Sequence, residues 1–118
     1  MPYRSVAAKE LSDLLGVLAH PERLFLVEEL RGGERDVNTL RSLLGVSQAK
    51  VSRHLGLLRA HHIVSERREG RHVFYRLTQS GLANWLAEGL IFIERSPYAP
   101  DEVREAAERA RETWLHDT

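Results

Sequence analysis

Gln48, Lys50, Ser52 and Arg53 lie within six residues of one another, and Arg67, Arg68 and Arg71 fall within a later span of five. Glutamine can pair bidentately with adenine and arginine with guanine, while serine and lysine bind phosphate oxygens equally well. The chemistry these side chains offer is hydrogen bonding and charge pairing to nucleic acid, with no bond made or broken. No Gly-rich phosphate loop and no cysteine nucleophile is present, and the paired carboxylates have spacings that a solvated helix explains. No enzymatic activity is expected.

Two elements must position these groups. Ser47 is a good N-cap for a helix running to about Ala60, with Val51, Leu55 and Leu58 on one face. At about 100° per residue, Ala49, Ser52, Arg53 and Gly56 then project to the other side, with Gln48 and Lys50 on its flanks. A shorter helix, Val37 to Leu44, precedes it and is broken by Gly45. Residues 39–60 thus read as a helix-turn-helix. Ile63–Arg68 and Arg71–Leu77 read as a hairpin, with Gly70 supplying positive φ, so residues 63–77 form a wing. Val73, Tyr75 and Leu77 alternate with polar residues and are expected to hold the wing on the body. Three arginines around one tight turn suit a phosphate or minor-groove contact.

The rest of the chain is helical. Val6, Leu11, Leu14, Leu15 and Leu18 make a stripe from Ser5 to Ala19, which His20-Pro21 ends. Leu24, Phe25, Leu26, Val27 and Leu30 render the second helix apolar on more than one side, which predicts a central place in the core; Gly32-Gly33 ends it. A fifth helix opens at Thr78 or Ser80-Gly81 and continues to about Glu94. After a linker at 96–100, Asp101 is expected to cap an additional C-terminal helix over 101–115. The order is α-α-α-α-β-β-α-α, a mainly α fold with a small β-hairpin wing, in one domain across residues 1–118.

The formal net charge is zero, but its distribution is uneven. Residues 47–76 carry seven Lys/Arg against two Asp/Glu, a net of +5, whereas residues 1–46 carry −1 and residues 81–118 carry −4. The positive charge coincides with the helix-turn-helix and wing, as a phosphate-binding surface requires. The N-terminus lacks the apolar stretch of a signal peptide and no run suits a bilayer, so no membrane partner and a cytoplasmic location are expected. With no cysteine in the sequence, disulfides, thiolate metal sites and thiol switching are excluded.

LAHPERLFLVEEL, SQAKVSRHLGLLRAHHIV and REGRHVFYRLT together resemble the ArsR-type winged-helix regulators. The resemblance covers residues 8–95 or so. Its most specific parts are His-Pro-x-Arg at 20–23 and Ser-x-x-x-x-Ser-x-His-Leu at 47–55. It implies a homodimer that binds an inverted-repeat operator in double-stranded DNA and represses transcription until an inducer arrives. The recognition-helix role then falls on Gln48, Lys50, Ser52 and Arg53, and the wing role on Arg67, Arg68 and Arg71.

The resemblance also assigns dimerisation to the first and fifth helices, residues 1–20 and 81–95. Leu11, Leu15, Leu82, Trp85, Leu86 and Phe92 are the expected contacts, with burial of Trp85 and Phe92 in the monomer core as the competing reading. Many members hold metal through Cys pairs at the start of the third helix, or through Asp-x-His and a later His with an acidic residue on the fifth. Here the first region reads Arg35-Asp36-Val37-Asn38 and the fifth helix has no histidine. No metal or cofactor is therefore expected, and the inducer is unknown; the protein senses something else at the fifth-helix interface or represses constitutively. The alternatives are a metal-responsive repressor using His and carboxylate ligands, such as His116 with His20 or an acidic group across the dimer, and a winged-helix protein-interaction module.

Overall fold

Caps and turns divide residues 2–116, the part that the computed structural model describes, into seven helices and three strands. Met1, Asp117 and Thr118, at the ends of the expected domain, lie outside the described residues. Helix α1 spans Pro2–Leu18 and α2 spans Pro21–Glu29. Between them, His20 caps α2 in an unusual way: its backbone is extended and its ring Nδ1 accepts the Glu22 N–H at 3.1 Å. Pro21 fits the first helical position because that N–H would have no partner.

The helix-turn-helix is closed at three points by polar side chains or glycine. Asp36 caps α3 (Val37–Leu44), accepting the Asn38 N–H at 2.7 Å. Gly45 ends α3 in the left-handed region at φ 66°, a conformation glycine adopts without a Cβ clash. Ser47 then caps α4 (Gln48–Ala60) through the Lys50 N–H at 3.3 Å. Helix α4 stops in a Schellman arrangement: His62 takes φ 60°, its N–H reaches the Arg59 carbonyl, and the Ile63 N–H returns to Leu58. Ile63 and Leu58 are both buried, which supplies the apolar contact that accompanies this motif.

Strands β2 (Val64–Glu69) and β3 (His72–Leu77) pair antiparallel from Val64↔Leu77 to Glu69↔His72, across a turn at Gly70-Arg71. Positive φ occurs at Gly70 and not at Arg71, the pattern of a type II′ turn. A third strand adds to the expected hairpin. Strand β1, Arg35–Asp36, pairs with β3 through Arg35↔Tyr75 and Asp36↔Phe74, giving the sheet order β1-β3-β2. Two residues are too few to show an alternating pattern, so nothing in the local sequence announces this strand.

The core gathers one face each of α2, α3, α4, β2 and β3, joined by Val17 and Leu18 at the end of α1 and by Ala83 of the fifth helix. Leu26, Leu40, Leu55 and Leu58 are fully buried at its centre. Helix α2 and its C-cap contribute only Leu26, Val27 and Leu30; Leu24 and Phe25 lie on the surface, Phe25 being 52% exposed. The expectation of a helix buried on several sides is corrected here: Leu26, Val27 and Leu30 form one inward stripe, and Leu24 and Phe25 fall outside it.

The fifth helix divides in two. Helix α5 covers Gly81–Gly89 and α6 covers Ile91–Glu94, with the Leu90 N–H bonding to the Ala87 carbonyl at 3.2 Å in a tightened turn. Helix α7 covers Asp101–His116. Asp101 is its first residue and not its cap: the Pro100 carbonyl takes the Arg104 N–H at 3.0 Å, and the Asp101 side chain pairs with Arg104. Its charge still complements the helix N-terminus. Glu94 of α6 meets Arg111 of α7 in a two-pronged ion pair that closes this end of the molecule. No helix among the described residues is long and apolar enough to cross a membrane.

Helix α1 stands apart. Only Val17 and Leu18, at its end, are buried, and Leu14 is half-buried. Val6, Leu11 and Leu15 are exposed along its length.

Candidate nucleic-acid interface

Val51, Leu55 and Leu58 turn into the core, which rotates Gln48, Ala49, Lys50, Ser52 and Arg53 outward as the spacing predicts. All five are exposed, and Gly56 is half-exposed beside them. Gln48 has a neighbour that its own helix does not reveal. Arg41 of α3 donates to the Gln48 side-chain oxygen at 3.0 Å, leaving the Gln48 amide N–H groups free to donate outward.

His54 shares α4 with these residues and is buried. Its Nδ1 lies 3.3 Å from Arg23 Nη1 and its Nε2 lies 2.7 Å from Glu22 Oε2. A guanidinium can only donate, so Nδ1 accepts and Nε2 carries the proton toward the carboxylate. Arg23 also donates through Nε to the Val17 carbonyl. One chain of hydrogen bonds therefore joins the end of α1, the start of α2 and the middle of the outward-facing helix. The His-Pro-x-Arg spacing was the sequence trace of this arrangement, although its partner in α4 was not legible there.

His20, Glu22 and His54 bring their possible ligand atoms within 4.8 Å of one another, a different histidine grouping from the His116 one considered above. Hydrogen-bond roles decide against a metal in this arrangement. Both Nδ1 atoms accept, from the Glu22 N–H and from Arg23, so both Nε2 atoms bear protons and present no lone pair. Coordination requires a deprotonated ring nitrogen, and would leave the opposite N–H facing another donor.

The wing's three arginines have unequal surroundings. Arg67 is held by Glu34 at 2.7 and 3.1 Å and by Glu69 at 2.6 Å, with its guanidinium 4.6 Å above the Phe74 ring. Arg68 is largely exposed, its nearest carboxylate being Glu66 at 3.8 Å. Arg71 is exposed at the turn, and no ion pair involves it among the described residues. Glu66 otherwise serves the body, accepting from Arg59 at 2.7 Å and from the buried Tyr75 hydroxyl at 3.1 Å. Burial, reinforced by Glu66, pushes the Tyr75 phenol up from its ordinary value.

Glu34 and Asp36 anchor the wing base. The Arg67 hydrogen bond holds the Glu34 carboxyl below its usual range. The Asn38 backbone N–H, then His72 at 2.8 Å, do the same for Asp36. A carboxyl with a lower value folded than unfolded adds stability above the unfolded value, near pH 4, and loses it as pH falls through the folded value. The wing base should therefore loosen below about pH 4. In carbon-detected NMR titration, Arg67→Ala should return Glu34 to an ordinary carboxylate midpoint. An unaltered Glu34 midpoint would show that the ion pair does not persist in solution.

On the dimer side the expected contacts divide. Leu11, Leu15, Trp85 and Phe92 are exposed, Phe92 at 79%, whereas Leu82 and Leu86 are half-buried and pack against the core of their own chain. Trp85 and Phe92 are thus not monomer core residues.

The family model described as "Bacterial regulatory protein, arsR family" matches residues 20–66, from the cap of α2 into β2. The biofilm growth-associated repressor of Xylella fastidiosa strain Temecula1 is 43% identical over 76 residues, covering 64% of this chain and 67% of that protein. Its counterpart in Agrobacterium fabrum is 40% identical over 97 residues, 82% of each chain. The crystal structure of the transcriptional repressor BigR from Xylella fastidiosa superposes with a TM-score of 0.68 at 37% identity, covering 80% of this chain and 97% of that one.

Proposed function

This chain belongs to the arsR family of bacterial regulatory proteins, and from that premise we propose that two copies of it read an inverted-repeat site in duplex DNA and repress transcription. The observation that carries this reading is the outward face of α4, exposed and capped in place, on the same basic stretch as a wing tip bearing two exposed arginines. Gln48, Ser52 and Arg53 face base edges in the major groove. Lys50, Arg68 and Arg71 meet phosphates. Arg67 is a positioning residue that fixes the wing through Glu34. Leu11 and Leu15 of α1 pack against Trp85 and Phe92 across a two-fold axis, with Leu82 and Leu86 supporting them from within each chain. Such symmetry sets two α4 helices about one DNA turn apart, roughly 34 Å.

A salt series separates the phosphate contacts from the clamp. Each lost phosphate contact removes about 0.9 from the slope of log affinity against log salt. Arg68→Ala should weaken binding to every DNA sequence and lower that slope by about one per contact site. Arg67→Ala should leave the slope nearer that of the parent. Equal affinity and slope for Arg68→Ala and the parent would remove the wing from the interface. DNA binding independent of salt would favour a protein-interaction role.

A further inference from the structure

Helices α2, α5, α6 and α7 frame an apolar pocket of about 240 Å³, open on one side, that DNA reading does not use. Its walls are Leu24 and Val27 of α2, Leu86 of α5, Leu90, Ile93 of α6 and Trp114 of α7, with Gly89 and Glu28 at the margin. Glu28 is already committed. Arg31 holds both of its oxygens at 2.7 Å, and the same guanidinium donates to the Ala83 carbonyl at 3.2 Å and to Asn84. What remains for a guest is aliphatic surface and one indole. An apolar lining of this kind favours apolar guests; for scale, benzene fills an enclosed cavity of about 150 Å³. The larger space here suits a single ring with a small substituent or a compact bicycle, with Trp114 as an aromatic wall. An anion would lose hydration against carbon surface, with one indole N–H as the sole donor on the walls named here.

The cavity is also connected to the reading helix. Leu24 and Val27 line it, and immediately before them on α2 are Glu22 and Arg23, the two residues that hold His54 of α4. We propose that this cavity is an effector site for a small neutral aromatic molecule, and that a guest displacing α2 shifts α4 through Glu22, Arg23 and His54. The effector role rests on the DNA-binding reading above. By linkage, the guest and the operator weaken each other by the same factor.

Toluene is a suitable probe for the full-length chain, with benzoate as its charged counterpart. Toluene should shift the Trp114 indole resonance saturably, while benzoate at the same concentration should not. Saturating toluene should lower operator affinity about fivefold or more, the usual lower range of allosteric coupling. Gly89 borders the pocket with open space around the position of a Cβ, so Gly89→Phe should narrow the pocket and weaken the toluene shift. Trp114→Ala, which only trims a wall, should weaken toluene binding as followed by the Leu86 and Ile93 methyl resonances, a second check if Gly89→Phe folds poorly. No saturable shift, equal binding of benzoate, or toluene binding undiminished in both variants would overturn the site. Saturable binding with unchanged operator affinity would overturn the effector role. A chain that binds no DNA at all would sink the repressor reading, and the effector role with it, while the toluene titration would still decide the cavity.

Discussion

Arg53→Ala should lower affinity for the selected operator by about 1–3 kcal/mol, roughly 5- to 150-fold, and should flatten discrimination at one base position. Rigidity underlies this expectation. Val51, Leu55 and Leu58 are buried to within 1% of completely, so α4 cannot rotate about its axis without opening the core. The Ser47 cap and the Schellman turn at His62 fix both ends of that helix. Arg53 therefore leaves the surface in a set direction, and no carboxylate neutralises it among the described residues. Arg53→Lys keeps the charge but not the planar fork, so it should recover part of the general affinity and little of the discrimination. Fluorescence anisotropy against the operator and its single-base variants measures both. Unchanged preference in Arg53→Ala would place the base contact elsewhere on α4.

The double variant Trp85→Asp/Phe92→Asp should be monomeric and should bind the operator on the order of 100-fold more weakly, since joining two half-site readers commonly multiplies affinity by 10² or more. Both side chains lie outside the core, at 46% and 79% exposure, so the substitutions should spare the fold. An acidic group in their place would have to be desolvated beside its symmetry mate, which opposes association. Sedimentation velocity gives the mass and far-UV circular dichroism checks the helices. A dimer that persists in this variant would move the interface away from α5 and α6.

The sequence carried the reading head clearly because each of its boundaries is made by one residue with a local reason. Gly45, Ser47 and Gly70 each do what their side chains, or lack of one, favour in any context. What it did not carry depends on partners distant in the chain. The Glu34–Arg67 clamp joins residues 33 apart, and Glu22–His54 joins residues 32 apart. His20 is a poor cap by general preference and works here because its ring nitrogen happens to reach the Glu22 N–H. Phe25 misled for the opposite reason: apolar type argued for burial, but it falls outside the one stripe of α2 that meets the core. The break at Leu90 has no proline to mark it, and Gly89 alone is too common within helices to signal a stop.

Asp36 performs three duties with one residue. Its backbone pairs with Phe74 in β3, one carboxylate oxygen caps α3, and the other meets His72 at 2.8 Å. The wing and the helix-turn-helix are consequently not interchangeable modules. A chimera that imports residues 64–77 from a relative must import a matching 34–36 segment as well, or the graft will arrive without the carboxylates that hold Arg67 and His72 here.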